Sequence, residues 1–169
     1  MADVLTHVLV GYIVGVSLSF RYDWIKTEQV TLVMLGALAP DFMKIGLFVP
    51  DGYVAHLLGV PFSWSPLHTL VGTVIVISLI SLLLAPEYRK GAIILLAIGV
   101  ATHLVLDIAL LTPTGEAYAV FWPLSSYRPP SGGLYLSTDR WPALVAATIA
   151  VALWAGRRYR SESAASSDL

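Results

Sequence analysis

Apolar residues run in long blocks separated by short charged links, and five such blocks cover residues 4–20, 29–49, 67–85, 91–111 and 142–156. A helix needs about 17 to 25 mostly apolar residues to cross a bilayer. Each block therefore predicts a spanning helix, with the last one short. The pattern reads as an all-α integral membrane bundle of about five spans, four long and one short and C-terminal. Residues 1–156 form a single membrane-embedded domain on this reading, and the polar stretch "RRYRSESAASSDL", 157–169, is expected to be a disordered tail. The opening "MADVLTH" has no positively charged region ahead of its apolar run, so the first block is expected to be retained rather than cleaved. The links "RYDWIKTE" and "PEYRK" are brief, whereas residues 50–66 and 112–141 are longer and rich in Pro, Gly and aromatics.

Composition agrees with the pattern. Of 169 residues, 57% are hydrophobic and 12% charged, against the roughly 45 to 50% apolar usage of soluble domains; the mean hydropathy is +0.77. A net charge of −1 and the lack of a basic run argue against a nucleic-acid partner. There is no cysteine, which excludes disulfides and thiolate metal sites and leaves nitrogen and oxygen as the only metal ligands.

Charge placement sets an orientation. Arg21, Lys26, Arg89, Lys90, Arg157, Arg158 and Arg160 fall on one side of a five-span arrangement, while Arg128 and Arg140 fall on the other and Lys44 lies within a span. The positive side is the cytoplasmic one. The N-terminus and both long loops then face outward and the C-terminus is cytoplasmic, in a plasma or inner membrane. Trp64, Trp122, Trp141, Tyr118, Tyr127 and Tyr135 suit an aromatic belt at the outer interface.

Within the apolar blocks a few ionisable residues stand out. "ATHLVLD" sets His103 and Asp107 four apart, on one face of a helix. Asp41 follows Pro40, His7 lies near the start of the first block, and His68 opens the third. At 1.5 Å per residue all five lie within roughly 12 Å of the outer boundary. Charged groups at membrane depth cost about 2.5 to 3.5 kcal/mol each on insertion scales, so they are expected to face one another, water or a cation. Three imidazoles and two carboxylates suit zinc or another borderline divalent metal. Asp3, one turn before His7, is a candidate to orient its ring. Lys44 is read either as the neutralising partner of Asp41 or as a contact for substrate charge. Gly99, and Gly11 with Gly15, are read as helix-packing positions.

The segments "LTHVLVG", "LGALAPDF", "SPLHTL", "ATHLVLD" and "FWPLS", in that order over roughly residues 3–125, resemble the YdjM-like membrane-bound metal-dependent hydrolases. The resemblance carries His7, Asp41, His68, His103 and Asp107 onto the family's polar positions. The ligand order is also similar to that of zinc-dependent phospholipases C, without their later His and Glu ligands. Two departures are visible. Met43 stands where family members often have a second acidic residue, and "SWSPLH" replaces a His-Arg-Gly ahead of the Thr-His.

These readings converge on a membrane-embedded metal-dependent hydrolase with an outward-facing His/Asp site, acting on a phosphoester or a lipid-like ester. Its metal ligands are expected to be His7, Asp41, His68, His103 and Asp107 around one or two divalent ions, zinc first and manganese or cobalt next, with Asp41 and His7 as candidate catalytic groups. Membrane lipid is the expected surrounding partner. Arg128 and Arg140 are candidate phosphate contacts, and His56, in "YVAHLLG", is a weaker candidate for the site. Two rivals remain: a transporter, which would carry ionisable residues on toward the cytoplasmic half, and a non-catalytic protein using the cluster as polar glue or as a structural metal site.

Overall fold

The computed structural model describes residues 3–167, with the backbone alone from 160 onward. It is all-helical, with no strands among the described residues. The helices are α1 (Val4–Ser19), α2 (Thr27–Leu38), α3 (Asp51–Leu58), α4 (Leu70–Leu82), α5 (Pro86–Ile108) and α6 (Trp141–Ser167). Two 3-10 helices, Ala39–Leu47 and Ser65–His68, complete the set. Two continuous helical stretches, Thr27–Leu47 and Pro86–Ile108, are long and apolar enough to cross a membrane; α1 and α4 are apolar but shorter. With 16 and 13 residues, they measure about 24 and 20 Å.

Local chemistry sets the helix ends. Asp3 caps α1 by accepting from the Thr6 amide at 2.9 Å and the Thr6 hydroxyl at 2.6 Å. Both its carboxylate oxygens are thus spent on the cap, and the expected role of orienting His7 is not what this side chain does. In the second block the α-helix stops at Leu38 and tightens into a 3-10 helix. Pro40 accounts for the change, because it has no amide hydrogen to continue the α ladder. Residues 67–85 are likewise not one continuous helix. Ser65–His68 is a separate 3-10 turn, and Thr69 then caps α4, its hydroxyl accepting from the Gly72 amide at 3.2 Å. Pro86 begins α5 at the position where a missing amide hydrogen costs nothing. Helix α6 continues through Ser167, so helical backbone occupies most of the stretch expected to be a disordered tail; residues 168 and 169 lie outside the described residues.

Helix α2 lies between α1 and α5, with α6 against α1 and α4 against α5. Glycines permit the closest contact. A Cβ on Gly36 would collide with the Leu96 carbonyl, and one on Gly99 with the Val33 carbonyl, so α2 and α5 meet backbone to backbone. Gly11 and Gly15 set α1 against Met34, Ala37 and Val30 of α2 in the same way. Val16, Val30, Val33 and Leu95 fill the space between these three helices toward one end, while Ala39, Ile77, Leu96 and Val100 join α4 and α5 further along.

The segment 112–140 has no helix and folds back over the end of α5. The Leu111 amide donates to the Tyr135 carbonyl at 2.7 Å, the Gly132 amide to Ile108 at 2.6 Å and the Leu134 amide to Ala109 at 2.9 Å. Further along, the Leu70 amide donates to the Val120 carbonyl at 2.8 Å, tying this cap to the start of α4.

Candidate functional site

The five ionisable residues singled out in the sequence meet at one point, under the cap. His7 comes from α1, Asp41 from the 3-10 turn after α2, His68 from the turn before α4, and His103 and Asp107 from successive turns of α5. All five are buried, His7 and His103 completely. The His7 and His103 rings stack with centroids 3.7 Å apart at 13°. Asp107 lies centrally: its Oδ2 is 3.0 Å from His68 Nε2 and 3.5 Å from His103 Nε2, and its Oδ1 is 3.4 Å from His7 Nε2.

One contact fixes the chemistry of His103. Its Nδ1 lies 2.7 Å from the Ala37 carbonyl oxygen, which can only accept, so Nδ1 carries the hydrogen. In the neutral ring Nε2 is then a bare lone pair aimed into the cluster. It sits 3.1 Å from His68 Nε2. A bare nitrogen and a carboxylate oxygen around one imidazole nitrogen need a proton on His68, or a cation, to hold them together. Other atoms are still unsatisfied: His7 Nδ1 and Asp41 Oδ1 are buried without a hydrogen-bond partner among the described residues. The second Asp41 oxygen takes a 2.8 Å hydrogen bond from Lys44 Nζ. Two overlapping ligand sets, His7/His103/Asp107 and Asp41/His68/His103, each have donor atoms within 4.8 Å of one another and could hold a metal ion. Imidazole and carboxylate donors with orphaned lone pairs fit a borderline divalent cation.

A cavity of about 500 Å³ opens from this cluster, with His68 and Asp107 in its wall. Ser65, Thr112 and Tyr118 add polar atoms, Met43, Leu110 and Trp122 apolar surface, and Arg128 a positive charge.

A model of the YdjM inner membrane protein family matches residues 1–166. The chain belongs to that family. Neither a curated protein nor a solved structure gives a match. As a YdjM inner membrane protein it contacts lipid, which accounts for the many large apolar side chains left exposed along its helices, such as Leu79, Leu82, Val105 and Val151.

Other candidates in this YdjM protein separate by position. Arg128 lines the cavity, whereas Arg140 is exposed and does not. His56 is exposed on α3 and lies outside the cavity wall. Met43, the apolar departure from the family pattern, falls on that wall. Trp122, Tyr127 and Trp141 are exposed. Tyr135 and Tyr118 are not belt residues. Tyr135 is buried and donates its hydroxyl to the Leu106 carbonyl at 2.8 Å, and burial, with help from the Asp107 and Asp3 charges, pushes its pKa up to about 12. Tyr118 packs its ring on His68 with centroids 4.4 Å apart, and its hydroxyl is buried with no hydrogen-bond partner among the described residues. Burial, then the Asp107 and Asp41 carboxylates, raises the Tyr118 pKa above the ordinary phenol range. Sequence reasoning missed Tyr118 as a site residue; its place four residues before "WPLS", a segment of the family resemblance, was the available signal.

Proposed function

We propose that this YdjM protein is a metal-dependent hydrolase whose site is built from His7, Asp41, His68, His103 and Asp107 and opens to the outer leaflet of a five-span bundle. The observation that carries the reading is the meeting of three imidazoles and two carboxylates from four separate segments, with the His103 Nε2 lone pair aimed into the cluster and His7 Nδ1 and Asp41 Oδ1 without a hydrogen-bond partner among the described residues. Polar helix packing alone does not require so many unsatisfied lone pairs at one point.

His68, His103 and Asp107 are the principal ligands on this reading, with His7 and Asp41 completing the set or serving a second ion. An ion of the zinc class held there supplies Lewis acidity, polarising an ester or phosphoryl oxygen. The chain's own part is proton handling and positioning. In hydrolysis a water oxygen bonds to the acyl carbon or phosphorus and the ester bond breaks. Asp41 Oδ1 or His7 takes the water's proton, and the leaving oxygen acquires one. The cavity beside His68 and Asp107 favours this over a purely structural metal, because structural sites are closed by protein on every side.

The test is the metal content of the detergent-solubilised protein by elemental analysis, beside His103→Ala and Asp107→Asn. One or two zinc-class ions per chain, lost in both variants while helicity by circular dichroism persists, is the expected result. A protein that takes up none of zinc, manganese or cobalt on reconstitution removes the metallohydrolase reading.

A further inference from the structure

The cavity roof carries two groups that the ligand set does not use, Tyr118 and Arg128. The Tyr118 oxygen is buried and has no hydrogen-bond partner among the described residues. A buried hydroxyl left without a partner is unfavourable, so a group that accepts from it is expected to occupy the site in the working protein. The ring lies against His68, and the residue lines the same cavity as His68 and Asp107. A phenol carries its proton at neutral pH and can donate it in a hydrogen bond.

Arg128 lines the same cavity, and a guanidinium recognises anionic oxygens in planar pairs. Met43, Leu110 and Trp122 give the same wall apolar surface. A hydroxyl donor, a positive charge on the wall and apolar lining residues together match an anionic headgroup carrying acyl chains; a neutral carboxylic ester offers Arg128 nothing to neutralise. We propose that the cavity takes a phosphoester lipid, with the Tyr118 hydroxyl donating to a non-bridging phosphoryl oxygen and Arg128 pairing with the phosphate charge. This names the substrate class for the hydrolase reading and rests on it.

The experiment is calorimetric titration of the maltoside-solubilised full chain with dihexanoyl phosphatidic acid, dihexanoylglycerol and inorganic phosphate, with metal content measured on the same samples. The phosphatidic acid should bind at least tenfold more tightly than the glycerol. Arg128→Gln should weaken it about tenfold and Tyr118→Phe several-fold, as expected for charge-assisted and neutral hydrogen bonds. Arg140→Gln should leave it unchanged. Inorganic phosphate competing with the lipid, but binding more weakly than it, assigns the occupant to a lipid headgroup rather than free phosphate. Neither variant removes a proposed ligand, so both should keep the wild-type metal content, and Tyr118→Phe should not lower the melting temperature as loss of a structural hydroxyl would. Equal affinity for the glycerol, or wild-type affinity in both variants, overturns the proposal. Metal content reports separately on the hydrolase reading.

Discussion

Asp41 shows how finely the cluster is balanced at the scale of single residues. One carboxylate oxygen is spent on Lys44, at 2.8 Å, and the other is buried without a partner. The lysine is the half-exposed end of this pair, with 29% of its side chain accessible against 1% for the aspartate. The partly exposed ammonium keeps part of its hydration, so Lys44 neutralises the buried charge incompletely while competing with any cation for it. Lys44→Gln should therefore tighten zinc binding by about two- to fivefold, measured by competition with a chelator of known affinity. Unchanged or weaker binding would take Asp41 out of the ligand set. His103 stands at the opposite extreme, since its ring is locked by the Ala37 carbonyl and a glutamine there cannot both donate to that carbonyl and present a bare nitrogen. His103→Gln should bind metal at least tenfold more weakly, within the 10- to 100-fold range typical for disturbing a ligand's orientation, and the same competition assay reads it.

At the scale of helices, the site exists because α2 and α5 are allowed to touch. Gly36 and Gly99 face opposite backbones, and neither a carbonyl nor a helix axis can yield as a side-chain tip does. Gly36→Ala and Gly99→Ala should each cost about 1 to 3 kcal/mol by overpacking. They should also lower metal affinity, because forcing α2 from α5 carries Asp41 away from His103. Gly91→Ala, whose added methyl would meet only the edge of Trp24 at 3.7 Å, should leave both unchanged. Thermal unfolding followed by circular dichroism, with metal content on the same variants, makes the comparison. A wild-type melting temperature for Gly99→Ala would mean that the two helices are not in backbone contact. Gly99 and the Gly11/Gly15 pair were legible as packing positions because small residues at helical spacing are a local signal. The long-range match of Gly36 to Leu96 was not, since nothing in either segment names its partner. The break at Pro40 was legible, since a proline removes an amide hydrogen from the ladder, but Thr69 was passed over as a capping residue because hydropathy averaged across it and returned a single continuous block.

For the whole molecule, rise per residue and hydropathy set His7, Asp41, His68, His103 and Asp107 near the same end of their apolar blocks, but which helices adjoin was not legible, and it is the packing of α1, α2, α4 and α5 that brings the five together. The cap over them was illegible: its form comes from backbone pairs such as Leu111 with Tyr135 and Leu70 with Val120, which no side-chain pattern announces. On the hydrolase reading, the side of the membrane that this cap faces is the side that supplies substrate, so the orientation proposed from the lysine and arginine distribution has a functional consequence. The chain contains no cysteine, and single-cysteine variants can therefore be read without background. Ser125→Cys and Ser137→Cys, exposed on the cap, should react with a membrane-impermeant maleimide in right-side-out vesicles, whereas Asp23→Cys and Glu87→Cys, exposed on the short links, should react only after the vesicles are opened. The result bears on the chemistry as much as on the topology. Labelling of the links but not the cap would turn the cavity toward the cytoplasm, and the lipid proposed for it would have to come from the inner leaflet.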